Sequence, residues 1–300
     1  MHFTKMHGIG NDYIYVNTAE ETVDDPAALA RTMSDRHTGI GADGLILIGA
    51  PSDPQQADVR MRMFNADGSE AQMCGNGIRC VTKFVIDRGL SSANPLRVET
   101  GRGVLEMRWL VGSDGLVHDV EVDMGAPILE CAAMGIAWPG IAAASTVVAQ
   151  AWPDGREFAA LGIECTATVV SMGNPHIVFW CVDAARVPLE RLGPVIESHT
   201  FFPQRINVHF VQTLSRSELR MRTWERGSGI TLACGTGASA VCVAGVLEAR
   251  SDRDVKIHLP GGDLALRFDA ERGRVFMRGP ATHVFDGEWT QRTAGLLYGA

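Results

Sequence analysis

Two segments far apart in the chain alternate apolar and basic side chains in the same way. Val59, Met61 and Met63 are interleaved with Arg60 and Arg62, and Leu219 to Trp224 repeats the pattern around Arg220 and Arg222. Period-two alternation predicts a strand with one buried face. Each strand runs into a loop, Asn65 to Cys74 and Glu225 to Cys234, marked by the turn residues Asp67-Gly68 and Gly227-Ser228-Gly229. Each loop ends on a cysteine. The spacing then becomes helical: Ile78, Val81, Phe84 and Val85 predict a helix over Gly77 to Arg88, stopped by Gly89. Its counterpart, Gly237 to Glu248, carries no charge before Glu248. A helix apolar on nearly every side is normally enclosed by protein, so we expect it to fill a curled sheet.

These parallels belong to a duplication. Residues 59–77 and 219–237 align at a constant offset of 160 with six identities in nineteen positions, where about one is expected from average composition. At that offset Cys74-Gly75-Asn76-Gly77 falls on Cys234-Gly235-Thr236-Gly237. Upstream the offset is 163: Gly10-Asn11-Asp12-Tyr13-Ile14 falls on Gly173-Asn174-Pro175-His176-Ile177, and Gly44 on Asn207. Two copies at domain length describe a duplicated domain and not a solenoid. The predicted fold is α/β (α+β): two pseudo-symmetric domains, each a curled, mostly antiparallel sheet around a central helix. We place the first domain at 1–124 with a tail strand from 282–300, and the second at 125–281.

Composition narrows the class. The chain has 300 residues, 46% hydrophobic and 21% charged, with a net charge of −8 and 27 Lys and Arg. This is near the globular average and long enough for two domains. It shows no basic run interleaved with aromatics, so nucleic acid is not an expected partner. Met1 to Asn11 has no apolar h-region and does not read as a signal peptide, which points to a cytoplasmic protein. Ile128 to Trp152 is rich in Ala, Ile and Val, but Glu130 and Pro139-Gly140 interrupt it. It is expected to be buried strand and loop, and no membrane association is expected. Seven cysteines without a Cys-x-x-C argue against a disulfide framework, a zinc ribbon or a thioredoxin-like site. Cys131, Cys165 and Cys181 lie in apolar sequence and are expected to be small buried hydrophobes.

Cys74 and Cys234 differ from these by position. A helix opening in Cys-Gly-x-Gly offers unpaired N–H groups and the positive end of its dipole, and its glycines let a ligand approach closely. Such an end binds a carboxylate and favours thiolate over thiol, lowering a cysteine pKa from about 8.5 to roughly 3.5–7.5. With two such ends facing each other, one carboxylate can be held by both and an α-carbon beside it lies between two sulfurs. One thiolate removes the α-proton and the other thiol returns one to the opposite face. The helix ends stabilise the charge that moves onto the carboxylate. No metal or cofactor is needed, and no Cys/His cluster has metal-ligand spacing.

Several motifs, in order, give the chain a resemblance to the diaminopimelate epimerase family over essentially its whole length. They are Phe3 to Asp12, Gly39 to Gly44, Phe64 to Glu70, Met73 to Cys80, Ser171 to His176, Arg205 to Val208, Trp224 to Gly227 and Leu232 to Gly237. The resemblance implies interconversion of LL- and meso-2,6-diaminopimelate, on the route to lysine and peptidoglycan precursors, with the site between two domains built alike. It implies Cys74 and Cys234 as acid and base, and Gly75, Asn76, Gly235 and Thr236 around the reacting carboxylate. Arg226 suits the distal carboxylate and Glu225 an ammonium, with Asn11, Asn65, Asn174 and Asn207 as donors or acceptors; His176 is a further candidate substrate contact. The family suggests a homodimer. Some members have Gln where Gly44 stands, so any contact of that side chain must here come from water or a neighbour.

Two other readings remain open at this stage. One is a proline racemase or hydroxyproline epimerase on the same two-cysteine plan, in which a His is expected where this chain has Asn76. The other is a non-catalytic metabolite-binding or redox-sensing protein, which would show no proton exchange at the α-carbon.

Overall fold

The computed structural model describes residues 1–290; residues 291–300, the end of the tail assigned to the first domain, lie outside the described residues. The first half runs β1 (His2–Gly8), β2 (Asn11–Asn17), α1 (Pro26–Ser34), β3 (Gly44–Gly49), β4 (Val59–Asn65) and β5 (Glu70–Ala71). It continues with α2 (Gly75–Asp87), β6 (Leu96–Thr100), β7 (Gly103–Val111) and β8 (Val117–Gly125). After α3 (Cys131–Met134) and β9 (Gln150–Ala151), the second half repeats this order as β10 (Ile163–Ser171), β11 (Pro175–Cys181) and α4 (Leu189–Glu197). Then follow β12 (Asn207–Ser215), β13 (Glu218–Glu225), β14 (Gly229–Thr231), α5 (Gly235–Leu247), β15 (Asp254–Leu259), β16 (Gly262–Asp269) and β17 (Arg274–Pro280). The chain returns along β1 as β18 (Thr282–Glu288).

The duplication is legible in the register. The parallel pair β2–β3 sets Tyr13 opposite Gly44, and β11–β12 sets His176 opposite Asn207, both 163 residues further on. In β3–β4 Leu45 faces Phe64, and in β12–β13 Val208 faces Trp224. β8 pairs antiparallel with β17, joining the halves in one curled sheet.

Both faces of each half-sheet are covered. Tyr13 and Tyr15 of β2 point to the central core with Ile78, Val81 and Val85 of α2, while Ile14 and Val16 point the other way, to Leu29, Ala30 and Met33 of α1. A strand buried on both sides reads as an apolar run, which is why β2 lacks the alternation of β4. α5 is buried along Gly235, Gly237 and every residue from Ala238 to Gly245. Its counterpart α2 is buried from Gly75 to Val85, the polar Arg79, Thr82 and Lys83 included. The two central helices touch, so a single core runs through both halves.

Four local readings need correction. Both central helices start two residues earlier than their periodicity announces, at Gly75 and Gly235, with the cysteines as N-caps. The loops before them contain the short strands β5 and β14. Ile128 to Trp152 is mostly loop with the single turn α3 and β9, and Ala132, Ala133, Ala142, Ala143 and Ala144 are exposed. Its aromatic ends, Trp138 and Trp152, are what pack, against Phe179, Phe201 and Phe202. Cys165 is exposed as well, whereas Cys131 and Cys181 are buried.

Candidate active site

Cys74 and Cys234 are equivalent caps. Their backbones are extended at φ −134°, ψ 122° and φ −134°, ψ 102°, and their carbonyls accept the first helical bonds, from Ile78 and Ala238 at 2.9 Å. Each helix therefore presents its first N–H groups without intrahelical acceptors. The sulfur of Cys74 accepts from Gly77 N at 3.4 Å; that of Cys234 lies 3.6 Å from Thr236 Oγ1.

The two ends meet around Met277 of β17. A Cβ placed on Gly75 would stand 3.0 Å from Met277 Cε, and one on Gly235 would stand 3.0 Å from Met277 Sδ and 3.9 Å from Asn76 Oδ1. Larger residues at Gly75 or Gly235 would press on the Met277 side chain. Reciprocal loops close the arrangement. Gly262, at the start of β16, packs on Ile9, and at the matching positions Arg102, in the β6–β7 turn, donates to Met172 O at 3.0 Å.

Asn11 Oδ1 accepts from Cys74 Sγ and from Asn76 Nδ2, each at 3.3 Å, while Asn11 Nδ2 donates to Asp43 at 2.7 Å. Asn76 is 3% exposed, and its Oδ1 has no partner. Glu225 accepts from Thr231 Oγ1 at 2.6 Å and acts electrostatically on both cysteines. Asn207 fixes the neighbouring backbone by accepting from Arg226 N at 3.0 Å and donating to Pro175 O at 2.8 Å. The exposed Arg226 guanidinium donates to Gln204 O at 2.9 Å, and no carboxylate among the described residues pairs with it. Asn65 lies at the end of β4, its amide on Ser69 Oγ at 3.0 Å.

His176 is fully buried, and both ring nitrogens are engaged by protein: Nδ1 with His209 Nε2 at 2.9 Å, Nε2 with Asn174 Oδ1 at 3.0 Å. His209 continues the chain to Thr223 Oγ1 at 3.0 Å. Burial holds both imidazoles neutral, His209 down to about 3 and His176 well below its ordinary value, where His209 and Arg226 add to the effect. This row ties Asn174 to the strand carrying the loop of Glu225 and Arg226. His209, Asp43, Thr231 and Met277 were not singled out from the sequence. Asp43 stood inside a quoted motif, but His209 and Met277 sit in ordinary strand patterns.

The thiols reverse a sequence expectation. Burial pushes Cys74 up despite backbone hydrogen bonds from Gly77 and Asn76, and pushes Cys234 well above the ordinary thiol value, with the Glu225 carboxylate adding to it. Burial also raises Glu225. A helix end favours the thiolate, but desolvation of the sulfur, half-buried at Cys74 and buried at Cys234, outweighs it. Neutral thiol is the favoured form, and thiolate grows in only as the pH rises. Carbamidomethylation of the free protein should therefore have alkaline midpoints at both cysteines, above the ordinary value of about 8.5. A midpoint below about 8 at either would contradict this balance.

Gly44 explains its own departure. A Cβ there would stand 2.1 Å from Phe64 O and 2.9 Å from Tyr13 Cε1, so a side chain requires backbone movement. Gly44→Gln should lower stability by roughly 1–3 kcal/mol, as overpacking does, read as a depressed Tm in thermal unfolding. An unchanged Tm would mean that the strand has room.

A chain of two like halves, each beginning its central helix on a cysteine N-cap, has the build of an enzyme of the isomerase class, an epimerase. A family profile described as diaminopimelate epimerase matches residues 3–130 and 168–284. The diaminopimelate epimerases of Acetivibrio thermocellus and Agathobacter rectalis are each 50% identical to it over 96% of this chain and, respectively, 98% and 99% of theirs. The chain belongs to the diaminopimelate epimerase family. The fold is shared more widely. A phenazine biosynthesis protein of the PhzF family from Bacillus anthracis superposes with a TM-score of 0.71 at 16% identity, covering 97% of this chain and 99% of that one.

Among the described residues no helix is long and apolar enough to cross a membrane, and no group of three or more His, Cys, Asp or Glu is placed to hold a metal ion.

Proposed function

We propose that this protein interconverts LL- and meso-2,6-diaminopimelate by direct proton transfer between Cys74 and Cys234, in lysine and peptidoglycan precursor synthesis in the cytoplasm. The observation carrying the reading is the pair of cysteine-capped helix ends meeting at Met277, in a chain of this family. The reacting carboxylate sits on the ends formed by Gly75, Asn76, Gly235 and Thr236, where backbone N–H groups and helix dipoles take up the charge of the developing carbanion. The α-carbon then lies between the sulfurs. For one isomer Cys74 takes the α-proton and Cys234 donates its own to the opposite face; for the other the roles exchange. Cys–S⁻ and Cys–SH trade places in each turnover, so no external proton is consumed and no cofactor enters.

Glu225, facing both thiols, receives a substrate ammonium. That cation offsets the burial that holds the thiols neutral. Arg226 forks onto the distal carboxylate, with Asn11, Asn65, Asn174 and Asn207 around it. His176 and His209 hold Asn174 in place. On this reading residues 1–124 with the tail from 282 form one catalytic half and 125–281 the other. The protein works as a homodimer on a small-molecule substrate.

The test is chiral analysis of LL-diaminopimelate incubated with the purified protein and no added cofactor, alongside L-proline and trans-4-hydroxy-L-proline. Meso isomer should form and both proline compounds should stay unchanged. Inversion of a proline substrate without diaminopimelate turnover would transfer the reading to the rival specificity.

A further inference from the structure

Three Lys and Arg side chains are buried among the described residues: Lys5, Arg79 and Lys83. Lys5 reaches Asp12 at 2.5 Å and Lys83 reaches Asp87 at 2.6 Å. Arg79 has no exposed surface and, among the described residues, no carboxylate within ion-pair distance. Asp119 of β8, a carboxylate that acts on it electrostatically, is engaged by Arg278 at 3.6 Å. Nη1 donates to Gly75 O and Nε to Pro280 O, each at 3.1 Å, and Nη2 has no partner. A buried cation without a counter-charge is strongly disfavoured, so this position implies an anion close by in the working protein.

The duplication supplies an internal control. At the matching place in α5 stands Ser239, whose hydroxyl donates to Gly235 O at 2.9 Å, the carbonyl equivalent to Gly75 O. Both residues therefore hold the first carbonyl of their helix, one with a charge and one without. Asn76 Oδ1, buried and unpartnered beside Gly235, marks the same end of α2 as unfinished.

We propose that Arg79 is a positioning residue that makes the two helix ends unequal, its buried charge holding an anion at Cys74 so that the first proton to leave the thiol pair leaves Cys74. This rests on Cys74 and Cys234 being the acid–base pair. The charged and titratable groups facing Cys74 are Arg79 and Cys80 of α2, Tyr13 and Tyr15 of β2 and Glu225 of β13. Only Arg79 is cationic. Cys234 faces Glu225, the Thr236 hydroxyl and the neutral His209 imidazole, with no cation beside it among the described residues. Burial dominates and Glu225 disfavours the thiolate at both sulfurs, but Cys74 alone has a cation, Arg79, drawing it the other way.

The test is site-resolved carbamidomethylation against pH, each cysteine followed by peptide mass spectrometry. The midpoint of each profile is compared, because rates also reflect access. In the wild-type protein Cys74 should have the lower midpoint. Arg79→Gln, which keeps a donor but removes the charge, should raise the Cys74 midpoint by about one unit, a tenfold loss of thiolate at fixed pH, and leave Cys234 in place. Arg79→Lys should restore most of the difference. A Cys74 midpoint that does not move in Arg79→Gln, that moves as far in Arg79→Lys, or that moves together with Cys234 overturns the proposal. If Arg79→Gln does not fold, the wild-type order decides, and Cys234 titrating with or below Cys74 overturns it. Labelling needs no substrate, so failure here is separate from failure of the epimerase assay.

Discussion

Cys74→Ala and Cys234→Ala are each expected to abolish epimerisation and to leave opposite partial reactions. With one thiol gone, the survivor can lift the α-proton from the face it sees, but nothing on the other side returns one. Each variant should exchange solvent deuterium into one stereoisomer, slowly and with retention, and fail with the other. The lost proton transfer is worth roughly 10²–10⁴-fold in turnover. Substrate affinity should suffer less, because both helix ends remain. The common extended N-cap geometry of the two cysteines makes the prediction symmetric. Exchange of the same isomer by both variants, or near-native turnover by either, would refute opposed roles.

Arg226→Lys is expected to raise KM for diaminopimelate with a smaller effect on kcat. One guanidinium nitrogen is committed to Gln204 O, which aims the remaining donors as a fork. Lysine keeps the charge and loses the fork. A hydrogen bond to a charged group is worth roughly 1.5–3 kcal/mol, and the exposure of Arg226 places the effect at the lower end, about tenfold in kcat/KM. The check is steady-state kinetics together with fluorescence-free binding by calorimetry. An unchanged KM would remove Arg226 from the distal carboxylate.

Much of this molecule was legible because it is written twice. The offsets of 160 and 163 reappear as strand register, and the Arg–Met alternation of Val59–Phe64 does become a strand with Val59, Met61 and Met63 inward. What failed to show has physical causes. Strands of two or three residues, such as β5 and β14, are too short to display a period. Helix starts at Gly75 and Gly235 precede the first apolar repeat, so periodicity finds them late. Arg79 looks like the polar face of an amphipathic helix until the returning chain at Pro280 covers it. The charge state of the thiols sets a helix end against desolvation, and the depth of burial that decides between them belongs to the assembled halves.

The most direct test of the two-thiol account is the early time course of LL-diaminopimelate in deuterated water, followed by mass and stereochemistry of both isomers. Two opposed acids deliver the product's new hydrogen from a solvent-equilibrated thiol while the abstracted one stays on the other sulfur. The account predicts one deuterium at the inverted centre of the meso product, and almost none in recovered LL substrate while conversion is low. Deuterium entering recovered substrate as fast as product, or product formed without deuterium, would contradict it.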